Sequence, residues 1–258
     1  MNKVFYIVDY KNIDDLIEEI KKTILDNYEF LIIKNNGFWK EDYEIMNYYN
    51  KVNNLLGGMK PADKNKYNNN DQDEYWVDIE YKFNFRNIDL PPWKTNEQLM
   101  LHTDNTLSNN INYANITELV CIQPSDYSGE TVIISNNKII ELVKYLDEKN
   151  NTKLYNDLLN TKIYHKDIEK KICSKKKDIY TFNFNIKQIL KSNLNTNNAL
   201  DLAKQFSTIL ENIMKSSLGN IIKLEKGDAL LLNDTLVMHG RKYVFGERLY
   251  KKCSILIN

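Results

Sequence analysis

The chain is poor in histidine and cysteine and has no net charge. Three cysteines in 258 residues, Cys121, Cys173 and Cys253, lie far apart without CxxC spacing. That excludes a disulfide framework and a zinc knuckle, and it points to a reducing compartment. Lysine plus arginine balances aspartate plus glutamate at 35 each. No overall field therefore draws the protein to nucleic acid or an anionic membrane, and any charged ligand has to be recognised locally. The opening MNKVFYIVDYKN breaks its apolar residues with acidic and polar ones, and no apolar run approaches a membrane span, so the expected location is cytoplasmic. Internal repeats and linkers are also lacking. With 42% hydrophobic residues available for a core, the expectation is a single domain over residues 1–258, helix-rich over 1–60 and with its core over 97–258.

What is present reads first as helices and strands in alternation. In NIDDLIEEIKKTIL, Ile13, Leu16, Ile17, Ile20 and Ile24 recur at helical spacing behind Asn12 as N-cap. EFLIIK reads as a buried strand, and KEDYEIMNYYNKVNNLL as a second helix that Gly57 and Gly58 terminate. With the opening segment, the order is strand, helix, strand, helix. The polar stretch ADKNKYNNNDQDE reads as a surface loop and candidate lid. WVDIEYKFNF alternates, with Val77, Ile79, Tyr81, Phe83 and Phe85 on one face. LMLHT, ELVCI, TVIIS, DIYTFNF, ALLLND and RLYKKCSILI are further strands, while IIELVKYLDEK and ALDLAKQFSTILENIMK are helical. Strands dominate the second half, which favours a sandwich or barrel-like β core decorated by helices.

Two of the three histidines follow apolar, strand-like runs. His102 stands in QLMLHTDNTLS, two residues before Asp104, and His239 in GDALLLNDTLVMHGR. Residues i and i+2 of a strand point the same way, so His102 and Asp104 can reach a single ion. A second strand can bring His239 to it. Two histidines and one carboxylate on one face of an octahedron bind Fe(II) and leave the opposite face open. HxD alone is a weak pattern. The third histidine, His165 in TKIYHKDIEKK, sits in a charged stretch without a second ligand nearby and reads as solvated, while Cys121 and Cys253 fall in apolar strands and read as buried.

Four elements together carry a resemblance. LHTDNTLSNNINYANITELVCIQPSDYSGETVIIS is similar to the HTD segment of the taurine dioxygenase and clavaminate synthase-like Fe(II)/2-oxoglutarate-dependent oxygenases. There an HTD is followed by a strand, a proline-containing turn and a G-G-x-T-like element, here SGET with Ser128 in place of the first glycine. GDALLLNDTLVMHGRKYVFGERLYKKCSILI resembles the group's GD-apolar-H-G-R block and its closing basic strand. The match runs from about Glu97 onward.

This resemblance implies an α+β fold with a double-stranded β-helix (jelly-roll) core and flanking helices. It makes His102, Asp104 and His239 the iron ligands, with Thr131 and Arg248 gripping the distal carboxylate of 2-oxoglutarate. An arginine fork and a threonine hydroxyl suit that task. Arg241 is the rival, although it follows His239 so closely that the far end of a five-carbon acid is hard to reach from it. The implied reaction consumes O2 and 2-oxoglutarate, releases succinate and CO2, and hydroxylates a C–H bond; desaturation, epoxidation or ring formation begin alike. Asp104 occupies the place that halogenating relatives leave for chloride. In the closing strand Arg248, Tyr250, Lys252 and Ser254 alternate onto one face. In the taurine-oxidising branch the basic residue four positions after the co-substrate arginine holds the substrate's anionic head, here Lys252, and a lysine suits a carboxylate-bearing amino acid or derivative. The alternative for Lys252 is a solvated edge beside Lys251. Two other function classes stay open, a catalytically silent metal- or small-molecule-binding module and a zinc hydrolase, the latter disfavoured by Thr131 and Arg248. The expected partner is a small-molecule substrate rather than nucleic acid or membrane, and homo-oligomerisation is left open.

Overall fold

The computed structural model of the protein describes residues 5–9, 12–25, 28–62, 74–82, 90–104 and 116–257. It opens as the periodicity predicts, with β1 (Phe5–Asp9), α1 (Ile13–Leu25), β2 (Phe30–Lys34) and α2 (Asp42–Leu56). The Asn12 carboxamide oxygen accepts the Asp14 backbone N–H at 3.0 Å, so Asn12 caps α1 as expected. Next come β3 (Val77–Tyr81), β4 (Leu99–His102), β5 (Ile116–Gln123), β6 (Tyr127–Ser128) and β7 (Thr131–Ser135), then α3 (Asn136–Asn150) and α4 (Leu154–Asn160). Two hairpins follow, β8 (Lys162–His165) with β9 (Ile168–Lys171) and β10 (Cys173–Lys176) with β11 (Ile179–Phe182). The remainder is α5 (Ile186–Leu190), α6 (Asn197–Lys215), β12 (Asn220–Ile222), β13 (Ala229–Asn233), β14 (Val237–Arg241), β15 (Val244–Phe245) and β16 (Arg248–Ile255).

Strands β1-β2-β13-β5-β16-β3 form a six-stranded sheet in which only β1 and β2 run parallel. Strands β12-β7-β14-β4 form a four-stranded antiparallel sheet. Side-chain alternation turns these two sheets into four layers. Phe30, Ile32, Leu119, Leu230, Leu232 and Tyr250 of the larger sheet cluster with Ile133 and Val237 of the smaller one. The residues between them, such as Leu31, Ile33, Val120 and Leu231, pack on Leu16 and Ile20 of α1 and on Ile45, Val52 and Leu56 of α2. The outer face of the smaller sheet, through Leu101, Val132, Ile134 and Met238, meets Ile139 and Val143 of α3 and Phe206 and Leu210 of α6. Each such side chain contributes roughly 1.5–3 kcal/mol on burial. Both faces of both sheets are thus covered, which is why ELVCI and TVIIS are unbroken apolar runs rather than alternations.

Some expectations change. His165 is not solvated: it is fully buried in β8, and burial, with the nearby Lys170 charge, pushes its ring down to about 4, so it is neutral. The hairpins around it have no Asn-Gly or Asp-Gly signal, because Lys166 and Lys177 take the positive φ values of 56° and 54° at their turns. The lid candidate falls largely on residues 63–73, and Phe83 and Phe85 of the alternating strand fall nearby in sequence; all lie outside the described residues. Among the described residues no helix is long and apolar enough to cross a membrane.

Candidate metal centre

The space between the two sheets is where the polar exceptions gather. In β4, Leu101 faces the outer helices, so His102 on the alternate side faces the larger sheet; in β14, Met238 faces outward and His239 and Arg241 inward. Thr131 shares the inner face of β7 with Ile133, while Tyr250 fixes Arg248 and Lys252 on the inner face of β16. Cross-strand pairing puts His239 directly opposite His102, and their ring centroids are 4.6 Å apart. Gly240 permits this approach. A Cβ at Gly240 would lie 2.6 Å from the Leu99 carbonyl oxygen and 3.1 Å from the Leu101 amide nitrogen.

His102, Asp104 and His239 offer ligand atoms that all lie within 4.8 Å of one another. Nε2 of His102 is 3.7 Å from one carboxylate oxygen of Asp104, and Nε2 of His239 is 3.5 Å from the other. Nδ1 of His102 donates to the Met100 carbonyl at 2.8 Å, so the proton sits on Nδ1 and the Nε2 lone pair faces Asp104. Burial lowers the affinity of the His102 ring for a second proton, outweighing its contact with Asp104. Burial alone would raise the Asp104 carboxyl, but the Lys252 ammonium, His239 and His102 outweigh it and hold the group well below the usual carboxylate range. A neutral imidazole and an ionised carboxylate are the protonation states a divalent metal requires. The chemistry of this donor set, two imidazoles and one carboxylate, fits Fe(II).

The backbone around the triad is locked by contacts that sequence reading missed. Asp234 is buried, accepts the Asp104 backbone N–H at 2.9 Å, and lies 3.5 Å from Nδ1 of His239. Asp234 Oδ1 and His239 Nδ1 are not hydrogen-bonded, so what Asp234 offers the ring is a nearby negative charge. Nothing in NDTLV distinguishes Asp234 from a turn aspartate. Its place is set by the turn from β13 to β14, which no periodicity encodes. Thr103 exchanges two bonds with Phe184, donating its N–H at 3.0 Å and accepting the Phe184 N–H at 3.2 Å, which pins the centre of HTD to the segment after β11. Thr117 of β5 donates its hydroxyl to Asp104 at 3.3 Å.

The two arginines differ in what they hold. Arg241 is buried, and its Nη2 donates to the carbonyls of Thr95 and Glu97 at 2.7 Å each, so this guanidinium braces the 92–97 segment. Burial, with the Arg248 charge beside it, pushes Arg241 down to about 9. Arg248 lies with its guanidinium 3.7 Å over the Tyr250 ring, and its Nε and Nη1 are buried without a hydrogen-bond partner among the described residues. Orphaned donors of this kind are costly unless a ligand accepts from them. Thr131 is buried opposite Arg241 in the β7–β14 pairing, two residues along from the level of His239. Lys252 places its ammonium 2.6 Å from Asp104 Oδ2. It therefore lies at the candidate centre rather than at a solvated edge, whereas Lys251, on the opposite face, pairs with Asp78 at 2.6 Å.

No protein-family model and no curated protein sequence matches the chain. Solved structures do. A taurine dioxygenase from Burkholderia xenovorans superposes with a TM-score of 0.60 at 11% identity, over 100% of this chain and 90% of the other. An asparagine oxygenase in complex with Fe(II), (2S,3S)-3-hydroxyasparagine and succinate gives 0.66 at 9% identity, over 94% and 79% of the two chains. PvcB, an Fe, alpha-ketoglutarate-dependent oxygenase from an isonitrile synthetic pathway, gives 0.62 at 12% identity, over 99% and 89%. The chain has the fold of these oxygenases.

Proposed function

We propose that the chain, as one jelly-roll domain, is an Fe(II)/2-oxoglutarate-dependent dioxygenase that hydroxylates a C–H bond of a small carboxylate-bearing molecule, such as an amino acid or derivative. The observation that carries this reading is the convergence of His102, Asp104 and His239 between the two sheets of a fold shared with such oxygenases. Iron, when bound, supplies the redox chemistry by which O2 and 2-oxoglutarate yield succinate, CO2 and an oxidised substrate. His102 and His239 present Nε2, and Asp104 brings the negative charge. Arg248 offers unsatisfied, buried N–H donors to the distal carboxylate of 2-oxoglutarate, with the Thr131 hydroxyl on the same inner face. The bonds of Arg241 Nη2 to the backbone carbonyls of Thr95 and Glu97 favour Arg248 over it for that grip. Burial between the sheets keeps bulk water from the ligand atoms. The decisive experiment is anaerobic loading with Fe(II), followed by oxygen-dependent succinate release with 2-oxoglutarate, screened over amino acids, amines and small carboxylates. Metal uptake with no succinate above background for any of them removes the enzymatic reading.

Two variants divide the roles. Arg248→Ala weakens 2-oxoglutarate binding by about 2–5 kcal/mol, the usual cost of truncating one side of a buried charge-assisted pair. Isothermal titration checks it, and an unchanged Kd transfers the grip to another residue. Asp234→Asn keeps an oxygen for the Asp104 N–H but removes the anion behind His239. Divalent metal affinity then falls roughly 10–100-fold. A loss under twofold in a Co(II) titration leaves Asp234 as a backbone anchor only.

A further inference from the structure

Among the described residues, the charges that meet at the candidate centre do not cancel. The carboxylates there are Asp104 and Asp234, with Arg241, Arg248 and Lys252 as the inward cations, while the buried Asp228 is paired with Lys34. Lys252 is the cation that touches a candidate metal ligand, 2.6 Å from Asp104 Oδ2, the same oxygen that lies 3.5 Å from His239 Nε2. A divalent ion held by the triad and the ammonium of Lys252 would therefore draw on one carboxylate. Even at the dielectric constant of water, ~80, a single and a double positive charge about 5 Å apart repel enough to shift a binding constant by about tenfold. Arg241 is tied to carbonyls, and Arg248 is aimed at the co-substrate in the proposed function. Lys252 alone among the three cations faces Asp104.

We infer that Lys252 regulates the metal through charge: its ammonium opposes a divalent ion at Asp104 until an anionic group of the substrate takes the ammonium up. The inference rests on the triad reading and deepens it, because it ties the substrate class to the metal. Counting only those five groups at the centre, two carboxylates against three cations leave one positive charge in excess. A divalent ion raises that to three, and 2-oxoglutarate with two negative charges returns it to one. A substrate carboxylate on Lys252 closes the balance, so metal and substrate anion strengthen each other's binding, as linkage requires. Lys252 is a positioning residue here, acting on the metal through the charge it shares with Asp104.

The test is Co(II) binding to the whole chain without O2, read both as a Kd and as the visible d–d spectrum of the bound ion. Lys252→Met, which keeps the stem and removes the charge, binds Co(II) at least about tenfold more tightly than wild type. Lys252→Arg keeps the charge and stays near wild type; thermal unfolding of both variants shows whether they fold. Replacing chloride by acetate at constant ionic strength tightens Co(II) on wild type and leaves Lys252→Met unmoved. Equal or weaker Co(II) binding by a folded Lys252→Met overturns the inference and makes Lys252 a support that holds Asp104 in place. No acetate effect on wild type overturns the coupling to an anion. If wild type takes up no Co(II), or if His239→Ala binds it equally well, the triad reading itself falls, and that result is distinct from the other two.

Discussion

His102→Ala and His239→Ala each reduce oxygen-dependent succinate formation to background, a loss of at least about a thousandfold, or ~4 kcal/mol at 1.36 kcal/mol per factor of ten. A three-ligand site retains no face geometry once one imidazole is gone, and the two rings come from different strands, so neither replaces the other. The fold tolerates both changes. His102 gives up its bond to the Met100 carbonyl, worth roughly 0.5–1.5 kcal/mol net. His165 supplies the control. It is as deeply buried and lies outside the triad. His165→Leu therefore leaves Co(II) uptake and turnover unchanged. Measured side by side, loss of metal in the first two variants with native melting curves separates ligation from stability. Near-normal turnover in either one discards the triad.

The degree to which this site was legible follows from how local each signal is. His102 and Asp104 are two residues apart on one strand, so sequence spacing alone put them on one side. His239 was legible through the glycine after it and the apolar run before it. The face shared by Arg248 and Lys252 was also local, since they lie an even number of residues apart along the closing strand, although its pairing with β5 shifts register between Leu249 and Tyr250. What stayed hidden depends on chain reversal. Asp234 reaches His239 and Asp104 only because the β13–β14 turn folds it back, and Lys252 meets Asp104 across the space between two sheets. The departure from the expected G-G-x-T element has a conformational explanation. Ser128 adopts φ 58° and Gly129 φ 80°, so the turn before Thr131 keeps its left-handed geometry with a serine in the first place. Of β8 to β11 only β11 was anticipated, as the strand DIYTFNF; the hairpin turns were missed because lysines hold them, and His165 was misjudged because its charged sequence neighbours point out while the ring points in.

Gly240 is where backbone sterics and the candidate chemistry meet most directly, and Gly240→Ala is expected to damage both. The added methyl would meet the Leu99 carbonyl oxygen at 2.6 Å, the Leu101 nitrogen at 3.1 Å and the Met100 carbonyl carbon at 3.2 Å, all backbone atoms of β4. A flexible side chain could swing aside; a strand cannot. β4 and β14 must separate by several tenths of an ångström, at an overpacking cost of about 1–3 kcal/mol. At 2–4 °C per kcal/mol for a protein approaching this size, the melting temperature drops by roughly 2–12 °C. His102 stands on the displaced strand opposite His239, so the same movement pulls the two imidazoles apart, and Co(II) affinity falls with stability. Gly37→Ala separates the two effects. Gly37 has φ 75° and a methyl added there would meet nothing within 4 Å, so alanine strains the turn by about 1–2 kcal/mol without touching β4. Both variants melt earlier, and only Gly240→Ala loses metal. If Gly240→Ala binds Co(II) as wild type does, the close approach of the two strands is a packing requirement and does not set the distance between the histidines.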